Sequence, residues 1–471
     1  MGEGEGPREA CGLFGVWAPG EDVSRLIYFG LFALQHRGQE SAGMAVSDGN
    51  NILVYRELGL VAQVFNEGTL STLQGDLGIG HTRYSTTGST TWDNAQPAFK
   101  TDGVRGLALG HNGNLVNTRR LATEAGRDPG TRSTTDSDLV ATLMAEQITD
   151  GVEEAAMRVL PRLQGAFSFL FMDEQTVYAA RDPHGLRPLA IGKLPGGFCF
   201  ASETSALDIV GATFVREVEP GELVMVDEHG LRSRRYAESP RKALCLFEFV
   251  YLARADSRLY GKTVHVARAE MGRRLAASDP VEADLVMPVP DTAQSAAQGY
   301  AERSGIPYGE GLMKNRYVGR TFIQPAPSLR QRGVKLKLNP IPDSVRGKRL
   351  VVVDDSIVRG TTTRQIVQTL REVGASEVHL RITSPPIRWP CFYGIDMSTR
   401  KELVASDLSV DEVREFVGAD SLAYLDLEDL VEATGSDAAQ FCRACFDGEY
   451  PIPIPDQTPT KLLLEQPAAG T

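Results

Sequence analysis

The stretch Arg349–Thr363, RLVVVDDSIVRGTTT, combines side chains suited to binding a phosphorylated sugar. A buried strand ends in two adjacent carboxylates, Asp354 and Asp355, and a glycine then leads into a threonine-rich helix start. Ligands of open α/β sheets bind beyond the carboxyl ends of strands. N–H groups and hydroxyls at a helix start suit a phosphate, and paired carboxylates suit ribose hydroxyls or Mg²⁺. The alternative is a capped helix after a core strand, with both aspartates merely on the surface.

Cys11 is the second chemical candidate. It follows a polar, glycine-rich segment, MGEGEGPREA, and opens the stretch CGLFGVW. A cysteine at a chain terminus has a general base in its own α-amine, whose reference pKa is about 7.7–8.0. Removal of residues 1–10 would expose that amine and activate the thiol. The alternative is a buried thiol in an ordinary first strand.

The 349–363 stretch resembles the phosphoribosyl-pyrophosphate (PRPP) loop of type I phosphoribosyltransferases. The resemblance implies that Asp354 and Asp355 meet the ribose hydroxyls and Mg²⁺, and that Thr292, in MPVPDTAQSAAQGYA, completes the metal shell. The residues implied to bind PRPP are Asp354, Asp355, Ser356, Ile357, Val358, Arg359, Gly360, Thr361, Thr362 and Thr363.

Five further segments resemble, in order, the glutaminase half of the N-terminal-nucleophile amidotransferases: ALQHRGQESAGMA, GHTRYSTTG, AQPAF, GHNGNL and TTDSDL. The resemblance implies that Cys11 is the nucleophile and that Asn112 and Gly113 supply oxyanion donors. It also implies that Arg37, Arg83 and Asp136 bind glutamine: Arg37 orients the surroundings of the nucleophile, while Arg83 and Asp136 hold the carboxylate and amine of glutamine. Such donors contribute about 3 kcal/mol each to acyl transfer. His36, His81 and His111 are interpreted as structural, because the α-amine removes the need for an imidazole base.

Four of the six cysteines form a further candidate set: Cys245, Cys391, Cys442 and Cys445. Four thiolates can bind zinc or a [4Fe–4S] cluster, although this spacing is not a compact zinc ribbon. The chain resembles a branch of the glutamine PRPP amidotransferase family that has a leader peptide. The resemblance implies a [4Fe–4S] cluster on four cysteines that match these positions. Unliganded core thiols are the alternative. Cys199, in the alternating strand GFCFAS, is expected to lie in the core.

Residues 314–339 are rich in lysine and arginine within an otherwise acidic chain. Cations suit a developing pyrophosphate, and the glycines and prolines suit a mobile lid. The sequence therefore predicts a lid over the PRPP site, with a solvated surface loop as the alternative.

The hydrophobic pattern changes near residue 240. Before it, short strands such as GLALGHNGNL (106–115) run together, and helices are predicted over 23–34, 135–149 and 151–163. After about residue 264, helices alternate with strands, which include IPYGEGLM (306–313), as in a parallel sheet covered on both faces. We expect an α/β two-domain protein, with an N-terminal-nucleophile αββα sandwich and a type I phosphoribosyltransferase sheet. The expected units are a propeptide (1–10), a glutaminase domain (11–240), a phosphoribosyltransferase domain (241–450) and a tail (451–471).

Composition narrows the class of protein. The chain has 471 residues and a formal net charge of −12, which argues against general nucleic-acid affinity. No apolar run approaches the ~18 residues of a membrane span, and residues 1–10 lack a signal-peptide core. We expect a cytoplasmic protein in a reducing compartment, with thiols rather than disulfides.

A glutaminase half followed by a PRPP loop resembles the glutamine PRPP amidotransferase family. The resemblance implies hydrolysis of glutamine at Cys11, internal ammonia transfer to Mg–PRPP, and formation of 5-phosphoribosylamine, the first committed step of purine synthesis. It also implies purine-nucleotide feedback and a homotetramer. An amidotransferase with another acceptor and a PRPP-sensing regulator remain alternatives; the second leaves Cys11 and the four-cysteine set unexplained.

Overall fold

The computed structural model describes residues 11–84, 88–126, 134–315, 338–397 and 399–455. The predicted propeptide, residues 316–337 of the predicted lid and residues 456–471 of the predicted tail lie outside the described residues. The ends of the lid stretch are described. They pair antiparallel, Met313 with Asn339 and Lys314 with Leu338, so this stretch begins and ends side by side.

Two antiparallel sheets form the first half of the chain. The seven-stranded sheet has the order β11-β9-β10-β1-β4-β2-β3, and the six-stranded sheet has the order β13-β12-β8-β7-β6-β5. The strands are β1 Gly12–Trp17, β2 Ser41–Ser47, β3 Ile52–Leu58, β4 Leu77–Arg83, β5 Ala98–Thr101, β6 Gly106–Leu115, β7 Gly165–Met172, β8 Val177–Arg181, β9 Ala190–Leu194, β10 Gly197–Ala201, β11 Thr213–Glu217, β12 Glu222–Asp227 and β13 Gly230–Arg235.

The alternation of side chains along each strand assigns one face to the space between the sheets and the other to helices. Leu13, Ile79 and Ala108 meet between the sheets. Phe14, one residue further along β1, packs instead under helix Val23–Ala33. Helices Asp136–Ala145 and Val152–Val159 cover the outer face of the other sheet. This αββα layering confirms the predicted fold of the first half.

The predicted long helices in this half are confirmed, with shorter bounds. The 135–149 and 151–163 patterns each end in a 3₁₀ turn, Ile148–Asp150 and Leu160–Arg162. The sequence did not predict four short helices, which are Val61–Val64, Glu67–Thr72, Thr118–Glu124 and Thr204–Ile209. They are too short to show a helical period.

A four-stranded parallel sheet, β17-β20-β21-β22, organises the second half. The strands of this half are β14 Leu244–Cys245, β15 Arg258–Leu259, β16 Lys262–Thr263, β17 Leu285–Pro288, β18 Leu312–Lys314, β19 Leu338–Pro340, β20 Arg349–Asp354, β21 Glu377–Ile382, β22 Ser421–Tyr424 and β23 Phe441–Cys442. Its helices are Val264–Ser278, Gln294–Ser304, Pro342–Val345, Thr361–Glu372, Val404–Asp407, Val410–Val417, Leu427–Thr434 and Ala444–Asp447.

One predicted strand, IPYGEGLM (306–313), is wrong in its extent. Only Leu312 and Met313 belong to a strand, and Tyr308 makes a single bridge to Val286. The two glycines of this stretch leave few side chains to pack on the sheet. None of the helices in the described ranges is both long and apolar enough to cross a lipid bilayer.

Candidate active sites

Cys11 lies at the start of β1, on the face between the two sheets. Leu13, two residues on, belongs to the inter-sheet core, so alternation turns the Cys11 side chain the same way. Gly12 pairs with Thr82, which sets Arg83 beside Cys11 in the next row of the sheet. Arg83 also faces between the sheets, two residues after His81 and four after Ile79. The pairing therefore brings a buried guanidinium beside the thiol.

A cavity with about 230 Å³ of empty space, counting its mouth, surrounds this thiol. Four of the residues predicted for the glutaminase site line this cavity: Cys11, Gly113, Arg83 and Asp136. The other lining residues are Tyr84, Gln96, His111, Thr135 and Ser137. Residues more than a hundred positions apart in the chain thus meet at one end of the sandwich.

Strand β6 presents Asn112 and Gly113 to this end of the sandwich. The N–H groups of His111 and Leu115 leave β6 away from β7 and donate to Gln96 Oε1 (2.7 Å) and Asp136 Oδ2 (3.1 Å). Alternation points the Gly113 N–H in the same direction, between these two acceptors.

The Asn112 side chain lies on the face of β6 that packs against the seven-stranded sheet. Ala108, four residues earlier on the same face, belongs to the core between the two sheets. Asn112 is fully buried, and neither amide atom has a hydrogen-bond partner among the described residues. An unsatisfied buried amide costs about 1–3 kcal/mol, so this one suits a ligand oxygen.

The electrostatics of the cavity oppose ionisation of the thiol. Burial raises the pKa of Cys11 to about 11, although a hydrogen bond with Tyr84 and the charge of Arg83 lower it. The thiol donates to the Tyr84 carbonyl at 3.3 Å. Burial alone would raise the pKa of Asp136, but His111 and the N–H groups of Leu115 and Ser137 outweigh it and lower that pKa. A buried anion and a buried cation thus stand at one neutral thiol.

The three histidines considered as bases all have other partners. His36 Nε2 contacts Glu203 at 2.7 Å, and His81 Nε2 contacts the His111 carbonyl at 3.0 Å. His111 lines the cavity, but its Nδ1 contacts Ser137 Oγ (3.3 Å) and its Nε2 contacts the Ala166 carbonyl (3.4 Å). These contacts agree with a structural interpretation.

Arg37 is not among the residues that line the Cys11 cavity. Its guanidinium is 1 % exposed and pairs with two fully buried carboxylates, Glu203 and Glu248. The resemblance implied that Arg37 binds glutamine. In this geometry its guanidinium donates to the two carboxylates instead of facing the Cys11 cavity. Arg37 joins the two halves of the chain instead.

The PRPP-loop residues form the carboxyl-end edge of the parallel sheet. β20 ends at Asp354, and helix Thr361–Glu372 begins directly after Gly360. Asp355 accepts a hydrogen bond from Ser356 Oγ at 2.6 Å. Burial raises the pKa of both aspartates, and for Asp354 the adjacent Asp355 raises it further.

Within the loop, Ile357 and Val358 bury their side chains in the core on either side of the sheet. Only their backbone groups are then available to a phosphate. Arg359 pairs with Glu402 at 3.2 Å. Of the threonines, Thr361 is exposed, Thr362 is partly buried and Thr363 is buried. The loop therefore resembles an anion cradle made of backbone and hydroxyls.

Thr292 follows β17 at the same edge of the sheet. β17 pairs in parallel with β20, and the Val289 N–H donates to the Val353 carbonyl at 2.8 Å. The chain after Val289 therefore starts beside the strand end that carries Asp354. Asp291, next to Thr292, pairs with Lys314 at 2.6 Å.

The four predicted cluster cysteines line one cavity, together with Leu186 and Arg187 from the first half. Cys245 of β14 and Cys442 of β23 are paired in register, and Cys445 lies in helix Ala444–Asp447. Among the described residues, no group of three or more His, Cys, Asp or Glu side chains is placed to hold a metal ion, so the arrangement of these cysteines does not itself show the predicted cluster. A single zinc needs all sulfurs at about 2.3 Å from one point, whereas a multi-atom cluster spans a wider gap. Cys199 is buried in β10, as expected.

Comparisons with known proteins identify the family. Residues 81–209 match a model described as a glutamine amidotransferase domain. An amidophosphoribosyltransferase of Mycobacterium tuberculosis is 57% identical over 466 residues, 96% of this chain and 88% of that protein. The Bacillus subtilis amidophosphoribosyltransferase is 46% identical over 97% of each chain. The chain belongs to the amidophosphoribosyltransferase family.

Solved structures of the family have the same fold. The Bacillus subtilis glutamine PRPP amidotransferase, complexed with ADP and GMP, superposes with a TM-score of 0.89 at 45% identity, over 97% of this chain and all of that one. A structure described as the allosteric regulatory enzyme of purine biosynthesis gives 0.91 at 46% identity. This chain therefore has the two-part α/β fold of these amidotransferases.

Several residues of these sites were not predicted from the sequence. Tyr84 and Gln96 lie inside segments that the resemblance used, but nothing in their type marked them as lining residues. Arg187 and Glu248, which meet at 3.2 Å, are 61 positions apart and belong to different halves. No local spacing could have paired them.

Proposed function

We propose that this chain hydrolyses glutamine at Cys11 and transfers the ammonia internally to PRPP. The Cys11 sulfur attacks the amide carbon of glutamine, and its proton passes to the α-amine exposed when residues 1–10 are removed. The Asn112 amide and the Gly113 N–H stabilise the oxyanion. Arg83 pairs with the substrate carboxylate and Asp136 with its ammonium group. The protonated α-amine gives its proton to the departing nitrogen, so ammonia leaves. Water then hydrolyses the γ-glutamyl thioester to glutamate and restores the Cys11 thiol.

At the second site, ammonia attacks C1 of PRPP and pyrophosphate leaves, which gives 5-phosphoribosylamine and a proton. Asp354 and Asp355 accept hydrogen bonds from the ribose hydroxyls. The backbone of Ser356–Gly360 and the hydroxyls of Thr361, Thr362 and Thr363 hold the 5′-phosphate. Thr292 and the two aspartates would hold Mg²⁺, which would supply neutralisation of the charge on the diphosphate. The carrying observation is the meeting of Cys11, Arg83, Gly113 and Asp136 around one cavity, in a chain that also carries the phosphate loop.

We further propose the finer properties that the resemblance implies. These are a domain boundary near residue 240, a cytoplasmic homotetramer, feedback by purine nucleotides, and a [4Fe–4S] cluster on Cys245, Cys391, Cys442 and Cys445. Their shared cavity supports a cluster of several atoms, which would brace the second half. Arg37 orients the surroundings of Cys11 through its ion pairs with Glu203 and Glu248. Mass spectrometry of the purified protein tests the propeptide, with Cys11 as the expected first residue.

The transfer is tested with glutamine labelled with ¹⁵N at its amide. In the presence of PRPP and excess unlabelled ammonium chloride, the amine of the product should carry the label, because ammonia does not equilibrate with solvent. Product that takes its nitrogen from the ammonium pool would overturn internal transfer. PRPP that binds without consumption would favour a PRPP-sensing regulator, and turnover of another acceptor would favour a different amidotransferase.

A further inference from the structure

A short segment of the second half, Cys391–Gly394, packs on the strand that carries the proposed oxyanion donors. Asn114, next to Gly113 on β6, donates from Nδ2 to the Phe392 carbonyl at 3.0 Å. Gly394 lies even closer: a Cβ there would be 3.0 Å from the Gly113 carbonyl carbon and 3.1 Å from its oxygen. Gly394 also has a φ of +103°, which a residue with a side chain rarely adopts. The contact is therefore backbone against backbone.

Arg187 of the first half holds the same segment from its other side. Its Nε and Nη2 donate to the Tyr393 carbonyl at 3.2 and 2.8 Å. Its Nη1 pairs with Glu248 at 3.2 Å, and both side chains are fully buried. A planar guanidinium can serve both partners at once, which a lysine ammonium on a flexible stem cannot do with the same geometry.

A buried chain of charges continues from this pair. Glu248 also pairs with Arg37, and Arg37 pairs with Glu203. Glu203 in turn accepts hydrogen bonds from the Arg254 N–H (2.9 Å) and Ser257 Oγ (2.6 Å) of the second half. These contacts are shielded from water, so each fixes the position of its partner strongly.

We infer that Asn114 and Arg187 are positioning residues, which hold segment Cys391–Gly394 of the second half against the Gly113 carbonyl and so fix the orientation of Gly113, whose N–H is a proposed oxyanion donor of the first half. This inference rests on the proposed function. Oxyanion donors must lie within about 0.5 Å of their productive position. Gly113 pairs with Phe167 of β7, and a Cβ there would be 2.1 Å from the Ala166 carbonyl oxygen, so β7 already holds it closely on one side. The contact from the second half adds a restraint at its carbonyl.

Asn114→Leu tests this inference, because leucine has the same branching but cannot donate to Phe392. Asn117→Leu is the matched control. Asn117 is equally buried and also donates to a backbone carbonyl at 3.0 Å, that of Arg162, but it stays within the first half. We expect Asn114→Leu to lower glutaminase kcat 10- to 100-fold with KM for glutamine within about twofold, and Asn117→Leu to change neither. Synthesis from ammonium chloride and PRPP should be unchanged in both.

An unchanged kcat in Asn114→Leu, or an equal loss in Asn117→Leu, would overturn the inference. Iron content per chain is measured in both variants, since segment Cys391–Gly394 carries a proposed cluster ligand. If Asn114→Leu does not fold, Gly394→Ala replaces it: the added methyl would lie 3.0 Å from the Gly113 carbonyl carbon and 3.2 Å from Arg187 Nη2, so it disturbs this contact from both sides. It should also lower kcat and leave KM unchanged, and full activity would overturn the inference.

Arg187→Lys supplies the second arm, with the same kcat loss expected. The wild-type reaction keeps the two hypotheses apart. A wild-type protein that releases no pyrophosphate from PRPP contradicts the proposed function, whereas an active wild type with fully active variants contradicts only the positioning role.

Discussion

At the scale of single residues, the state of Cys11 decides whether the first site can react. Its thiol is buried, its pKa is raised to about 11, and the three candidate histidines are bound to other groups. A neutral thiol is a poor nucleophile and needs a base within reach. The α-amine released by cleavage before Cys11 is the base that our account assigns. The sequence led to this assignment because the motif stands directly behind a polar segment.

Cys11→Ser is predicted to lower glutamine hydrolysis at least about a thousandfold, because the hydroxyl is a far weaker nucleophile at the same position. Synthesis from ammonium chloride and PRPP should stay within about twofold. Glutamate and pyrophosphate assays measure the two activities. Cys199→Ser is the control for a buried thiol in the same sheet, and it should keep both. Glutamine hydrolysis that survives in Cys11→Ser would exclude Cys11 as the nucleophile.

His81 gives a pH dependence of stability. Burial lowers its pKa to about 3 in the folded protein, against about 6.5 in the unfolded chain. Between these values the unfolded state binds a proton that the folded state does not. The free energy of unfolding therefore falls as pH falls from about 6.5 toward 3, with a limiting slope of about 1.4 kcal/mol per pH unit.

Denaturant unfolding between pH 7 and pH 4 checks this slope in His81→Gln and in the control His229→Gln. His229 is exposed, with 72 % of its side chain accessible, so its replacement should leave the slope unchanged. His81→Gln should flatten the profile by one proton's contribution. Equal slopes in the two variants and the wild type would show that His81 titrates normally in the folded protein.

At the scale of elements, the second site depends on the carboxyl-end edge of a parallel sheet. Asp355→Asn is predicted to reduce pyrophosphate release at least about 100-fold, because the loop loses a charge that we propose binds ribose or Mg²⁺. Basal glutamine hydrolysis without PRPP should remain. Asp284→Asn is the control at the opposite edge, where Asp284 pairs with Arg349, and it should keep both activities. Wild-type pyrophosphate release in Asp355→Asn would remove the loop from the mechanism.

Elements with a clear period were predictable from the sequence, and short ones were not. β6, Gly106–Leu115, has the bounds that its pattern predicted, because buried residues run through its whole length. The stretch 306–313 reads as apolar but forms only one bridge and part of a short strand. Its conformation is decided by the neighbours β17 and β19, which the local sequence does not contain. The phosphate loop was predictable because its chemistry is continuous in the chain.

At the scale of the whole molecule, buried charges join the two halves. Glu203→Gln is predicted to destabilise the protein by about 3 kcal/mol, because it leaves Arg37 short of a buried counter-charge. Glu222→Gln breaks the partly exposed pair with Arg216 and should cost under about 1 kcal/mol. Calorimetry compares the two variants, with one shared unfolding transition expected for wild type. Equal effects in both would show that the junction charges contribute no more than a surface pair.

These junction contacts are what the sequence could not supply. Arg37 was assigned to the glutamine site because its motif resembles that half, yet its partners Glu203 and Glu248 lie 166 and 211 positions away. The same is true of the contact between Gly394 and Gly113. The Arg37–Glu248 pair and the Gly394–Gly113 contact form only when the two halves of the chain pack together. No periodicity within either half predicts them.

The proposed function requires that the glutamine site at Cys11 and the PRPP site after β20 are coupled in one chain. The most direct measurement follows glutamate and pyrophosphate together, from anaerobically purified protein that begins at Cys11, with and without Mg–PRPP. Our account predicts that PRPP strongly stimulates glutamate release and that the two products appear one for one. Glutamate release that is indifferent to PRPP, with no pyrophosphate formed, would contradict it.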